Sequence, residues 1–305
     1  MNKTVSRLLA LAMTASLVLS GCGGGGTTTE EKPAEGGNTT EQSGEKKEEA
    51  KTEDKKEASK DEIKDLVRPI IASRELETFN ILYSQRAEDY ENLSNLVDGL
   101  LEVDTDGKLV PGIAEEWGTE DGGLTWTFKI REGVKWQRYD GSEYGENVKA
   151  EDWVTSAKWI LDPANTARTA DLLFDMVGAE EYYMALESGT EANWDNVGIK
   201  AISEYELQFT LISPCPWFLS RLTYNWGYPT CAKFLDEMGE SFGTNNDTIL
   251  YCGAFLCSQY EPNSYVISTR NPLYWDIDKI HVERIEEKYN AEADTLAPEA
   301  LLRGE

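Results

Sequence analysis

Leu124-Thr125-Trp126-Thr127-Phe128-Lys129-Ile130-Arg131 alternates large apolar residues with polar ones. A period of two puts Leu124, Trp126, Phe128 and Ile130 on one side of an extended strand, and such a strand needs a second layer to bury that side. The alternation returns in Glu206-Leu207-Gln208-Phe209-Thr210-Leu211 and in Tyr265-Val266-Ile267-Ser268-Thr269, which Asn271-Pro272 breaks off. Upstream, Leu100-Leu101-Glu102-Val103 and Leu109-Val110 flank Asp104-Thr105-Asp106-Gly107. That is a hairpin signal, with glycine supplying the positive φ. Helical spacing lies between the strands. Residues 151–161 place Trp153, Ala157, Ile160 and Leu161 on one face, and Asp162-Pro163 stops the helix. Trp159, six residues from Trp153, cannot share that stripe. Residues 231–238, followed by Gly239, and residues 295–303 are further helices. Strands mixed with helices throughout predict an α/β or α+β body.

The chain ahead of that body reads differently. Residues 8–19 are a short, nearly uncharged apolar run behind Lys3 and Arg7. A spanning helix needs about 20 apolar residues, so the run reads as an export signal. Its ending, Leu19-Ser20-Gly21-Cys22, resembles the bacterial lipoprotein box. The resemblance implies a signal peptide over residues 1–22, lipidation of Cys22, and work on the extracytoplasmic face of the cell membrane. Residues 23–62 open on four glycines and continue in Thr, Glu, Lys, Gly and Ala. They cannot bury enough surface to offset their ordering entropy, which predicts a disordered tether. Roughly 38 such residues reach about 35 Å. The rest is long enough for one or two lobes with a sizeable core.

Composition excludes several classes. The chain carries a net charge of −27, and loss of the leader would make it more acidic still. A phosphate backbone demands Lys and Arg, so no nucleic-acid partner is expected. His281, in the strand-like Ile280-His281-Val282, is the only histidine, so a Ser-His-Asp or Cys-His arrangement could be built only around it. No Gly-x-Ser-x-Gly, Walker loop or Gly-x-Gly-x-x-Gly precedes a helix. Asp104-Thr105-Asp106-Gly107 brings its glycine two positions too early for a calcium loop. Adjacent acids such as Glu115-Glu116 and Glu286-Glu287 arise by chance among 56 acidic residues. Cys215, Cys231, Cys252 and Cys257 allow two disulfides in three connectivities, or buried free thiols. Cys252 and Cys257, five apart in a strand-like stretch, would face opposite sides of it. None has Cys-x-x-Cys spacing, so neither a zinc site nor any other cofactor is expected. Aromatic residues are dense, and most belong in a core. The run from Trp217 to Tyr228, with Trp217, Tyr224, Asn225 and Trp226, is the candidate ligand-facing surface.

A longer pattern joins these pieces. Asn95-Leu96-Val97-Asp98-Gly99-Leu100-Leu101, Leu109-Val110-Pro111-Gly112-Ile113-Ala114-Glu115-Glu116-Trp117 and the stretch from Gly123 to Trp136 resemble extracellular solute-binding proteins of family 5. These are the oligopeptide- and dipeptide-binding components of ABC importers. Val148-Lys149-Ala150-Glu151-Asp152-Trp153, Leu161-Asp162-Pro163, Gly253-Ala254-Phe255 and Arg270-Asn271-Pro272-Leu273-Tyr274-Trp275 continue the match. The resemblance implies an α/β, periplasmic-binding-protein-like type II fold. It divides the body into an incomplete first lobe, residues 63–99 and 229–305, and an inserted second domain, residues 100–228. It implies a monomer that captures peptides without chemistry and delivers them to a permease driven by ATPase subunits. Ligand pairing then falls on Ser84, Gln85, Arg86 and Ala87, through strand addition to an extended peptide in a cleft that closes by hinge motion.

Two departures keep other solutes open, among them nickel complexes, opines and oligosaccharides. Ala170 stands near where peptide-binding members place a tyrosine, and Phe255 ends a turn usually closed by tyrosine. A secreted hydrolase is the alternative from another class, and a carboxylate pair in a cleft would mark it. Relatives run to about twice the folded length, which implies a missing third domain. From this follows the expectation that residues 63–305 alone do not bind peptide with micromolar affinity, a point for calorimetry.

Overall fold

The alternating segments become strands, and the order in which they pair shapes the body. The computed structural model describes residues 67–303. Cys22, the export signal and the tether expected over residues 23–62 lie outside the described residues. β1 (Val67–Ala72) is followed by an irregular segment and α1 (Ala87–Leu96). Next come the hairpin of β2 (Leu101–Val103) and β3 (Leu109–Pro111), then β4 (Ala114–Gly118), β5 (Thr125–Ile130), and the ribbon of β6 (Lys135–Gln137) and β7 (Glu143–Asn147). α2 (Ala150–Ile160) and α3 (Ala179–Glu187) precede β8 (Ile199–Ser203) and β9 (Glu206–Thr210). The chain continues through α4 (Phe218–Arg221), α5 (Ala232–Met238), β10 (Phe255–Glu261), β11 (Tyr265–Arg270), β12 (Arg284–Tyr289) and α6 (Ala293–Arg303).

Two four-stranded sheets result. One, ordered β4-β5-β9-β8, is antiparallel throughout and uses only the middle of the chain. Its inner face carries Phe128, Ile130, Leu207 and Phe209, all buried, with the Phe128 and Phe209 rings edge to face at 5.7 Å. α2 packs against this sheet with Trp153, Ala157 and Ile160 inward, and Trp159 is half-buried at the margin. The other sheet, β1-β12-β11-β10, takes strands from both ends of the described chain. Here β1 runs parallel to β12, pairing Val67 with Arg284 and Ala72 with Tyr289. The described residues, 67–303, fall within one compact unit, and a continuous apolar core runs through it.

The two chain crossings between these sheets meet at Gly227. Its carbonyl accepts the Leu100 N–H at 3.1 Å and the Trp153 indole N–H at 2.8 Å. Only glycine fits there, because a Cβ would stand 1.7 Å from the Leu222 carbonyl oxygen. Ser156 Oγ donates to Tyr228 O at 2.8 Å, and Thr230 N–H to Asp152 O at 3.0 Å, which binds the second crossing to α2.

The hairpin closes as its residues require. Gly107 has φ +78, and Asp104 Oδ1 accepts from the Asp106 and Lys108 N–H groups. Two local readings are corrected. His281 is not in a strand; it lies exposed in the irregular segment before β12, where Pro272 and the turn over Ile277–Lys279 interrupt pairing. Cys252 and Cys257 do not share a strand, since Cys252 precedes β10 and only Cys257 lies inside it. The four thiols are free, and Cys231, Cys252 and Cys257 are buried.

Candidate functional site

The segment between β1 and α1 joins neither a sheet nor a helix, and its local bonds explain why. The Tyr83 and Ser84 N–H groups both turn back to Asn80 O, at 3.1 and 3.2 Å, and Leu82 N–H donates to Asn80 Oδ1 at 3.0 Å. The chain then runs extended into Arg86 (φ −86, ψ 135), which caps α1. Ser84 is clamped from behind. Its hydroxyl donates to the Asp89 carboxylate and accepts from Arg86 N–H at 3.1 Å, and the Tyr90 hydroxyl donates to Ser84 O at 3.1 Å. Burial raises the Asp89 pKa against these hydrogen bonds. Burial likewise pushes the Tyr90 phenol up to about 12, with Tyr224 close enough to add to the effect. Tyr90 is therefore a neutral donor at any ordinary pH.

Gln85, at the crest of this segment, is exposed. Among the described residues, neither its main-chain N–H nor its C=O has a hydrogen-bond partner. Its side chain reaches across instead, with Nε2 donating to the Arg168 carbonyl. The Arg168 guanidinium lies over the Tyr83 ring, 4.9 Å from its centroid, and Nη2 donates to the Tyr83 hydroxyl at 3.2 Å. Asn225 joins a third segment from below. Its Nδ2 donates to Leu82 O at 3.1 Å and to Thr169 Oγ1, while its Oδ1 accepts from Trp226 N–H at 3.0 Å. One buried amide thus fixes residues 82–86, 168–169 and 224–226 into a single surface.

The structure sorts the expected site residues. Gln85, Ala87 and Tyr224 are exposed and Arg86 is half-buried. Trp217 stands 64 % exposed at the start of α4. Ser84, Asn225 and Trp226 turn their side chains inward. Ser84 and Asn225 are buried framework, and Trp226 packs in the core against Phe209 and Phe218, ring centroids 5.8 and 5.9 Å away. Tyr83 and Arg168 join the surface with Thr169 buried beneath it; their only sequence signals are the place of Tyr83 beside Ser84 and of Arg168 and Thr169 beside Ala170, where the family pattern departs. Ala170 is itself buried.

A mixed α/β body that presents open main chain on a rigid frame has the makings of a solute-binding protein. The chain belongs to the bacterial extracellular solute-binding proteins of family 5, whose middle-region model matches residues 108–305. It is similar to the oligopeptide-binding protein SarA of Streptococcus gordonii, 35% identical over 215 residues, which are 70% of this chain and 32% of that protein. It is also similar to the oligopeptide-binding protein AmiA of Streptococcus pneumoniae, 37% identical over 218 residues, again 70% of this chain and 32% of that protein. Among solved structures, the substrate-binding domain of an oligopeptide ABC transporter from Bacillus anthracis superposes with a TM-score of 0.68 at 26% identity, covering 77% of this chain and 44% of that one. The chain therefore spans about a third of the length of the curated relatives it matches.

Proposed function

We propose that this chain carries part of the capture surface of a peptide-binding receptor for an ABC importer. The receptor takes up an extended peptide outside the cytoplasm, does no chemistry on it and hands it to a membrane permease driven by ATPase subunits. It works as a monomer held to the membrane through lipid on Cys22. Residues 63–99 with 229–305, and residues 100–228, are its first lobe and second domain. The observation that carries this reading is the unpaired main chain of Gln85. A donor and an acceptor left unpaired on an exposed residue, next to the extended Arg86, are what a peptide strand pairs with, and the clamps behind them lower the ordering cost that would weaken such pairing.

Amide hydrogen exchange tests the reading. With a mixture of tetrapeptides at millimolar concentration, the Gln85 amide is expected to exchange several-fold more slowly, while amides of β8 and β9 are unchanged. Peptides that leave residues 83–87 unprotected would remove the assignment.

A further inference from the structure

Charge around Gln85 is close to balanced, unlike that of the whole chain. Three arginines share two glutamates there. Arg74 pairs with Glu88 at 2.7 Å, Arg86 with Glu88 at 3.7 Å and Glu77 at 3.4 Å, and Arg168 with Glu77 at 3.9 Å. Asp89, beneath them, is turned inward to the Ser84 hydroxyl and the Glu77 N–H. Arg168 differs from the other two in its mounting. Its ring contact with Tyr83 and the Gln85 side chain on its carbonyl hold it beside the open main chain. Among the described residues its one ion-pair partner is Glu77, shared with Arg86 and 3.9 Å away, and 43% of its side chain is exposed. A carboxylate in contact with the Arg168 guanidinium would feel it more strongly than charges beyond the roughly 8 Å over which salt screens at physiological strength.

We propose that Arg168 selects for an acidic side chain on the bound peptide, at the residue next to the one paired with Gln85. The proposal rests on the peptide reading above and adds a preference to it. A planar guanidinium already fixed over a ring loses little freedom when a carboxylate docks.

The test is an NMR titration of the whole chain with three C-terminally amidated peptides, Ala-Glu-Ala-Ala, Ala-Gln-Ala-Ala and Ala-Lys-Ala-Ala. The Glu peptide is expected to bind about two- to fivefold tighter than the Gln peptide, the range of exposed ion pairs, and the Lys peptide to bind weakest. The gap should close in 0.5 M salt and vanish in Arg168→Gln, but persist in Arg74→Gln. Equal affinities, or a preference that survives Arg168→Gln, would overturn the selectivity while leaving peptide capture standing. A free-acid Ala-Gln-Ala-Ala that matches the Glu peptide would move the carboxylate to the chain end and overturn the side-chain assignment. No response to any peptide would overturn the selectivity and the peptide reading together.

Discussion

Two buried aspartates contribute strongly to the pH dependence of this fold. Asp98 is buried where the chain first crosses between the sheets, and its Oδ2 accepts the Trp275 indole N–H at 2.8 Å. Burial, then the neighbouring Glu102, push its pKa up to about 7. Asp152 sits at the start of α2 and accepts from the Trp136 indole at 2.9 Å and from Lys149 N–H at 3.0 Å, yet burial pushes it too up to about 7. An unfolded aspartate releases its proton near 3.9. The folded chain therefore holds protons that the unfolded chain has lost. That stability is fully present below about pH 3.9 and disappears as pH rises through about 7. Thermal melts should show a lower midpoint at pH 8 than at pH 5, and Asp98→Asn should flatten the difference.

Asn225 makes a second test at this scale. Asn225→Ala would strand the Leu82 carbonyl and the Thr169 hydroxyl away from water, a loss of about 1–3 kcal/mol in urea unfolding. Of the surface itself, the sequence shows Gln85, Arg86, Ala87 and Tyr224 but not what holds them. Asn225 looks like one more polar residue in an aromatic run, and its buried role depends on partners 143 and 56 positions away.

At the scale of elements, legibility follows locality. β5, β9, β11, the β2–β3 hairpin, α2, α5 and α6 each carry their own period or turn residues. α1 does not: Ala87-Glu88-Asp89-Tyr90-Glu91-Asn92 offers little apolar stripe, and the helix buries Asp89 beside Leu93 and Leu96. The β6–β7 ribbon is hidden for a similar reason, being short and bulged, with Trp136 its large buried apolar side chain. Two glycines separate the kinds of constraint an element can impose. Gly107 needs its positive φ but has open space around it, so Gly107→Ala should cost about 1–2 kcal/mol. Gly227 is limited by the Leu222 backbone, which has nowhere to go, so Gly227→Ala should cost about 3 kcal/mol or more. Chemical denaturation of the pair would compare them directly.

At the scale of the molecule, the least legible feature is the parallel pairing of β1 with β12. No local pattern connects Val67 to Arg284, and only the family resemblance suggests that the two ends share a lobe. Asp98, Trp275 and Arg131 show how the halves are then joined. Trp275 donates its indole N–H to Asp98, while the Arg131 guanidinium from the end of β5 lies 3.9 Å above its ring.

That parallel pairing also sets a timetable. A chain that emerges from the ribosome, or threads through an export channel, delivers β1 first and its partner more than two hundred residues later. The β4-β5-β9-β8 sheet is complete once Thr210 has appeared, and contacts close in sequence form sooner than distant ones. Pulse-labelled exchange during refolding should find β5 and β9 protected before β1 and β12. Until that last step the first strand waits with bare edges, so an early-binding chaperone would find its handle at the amino end.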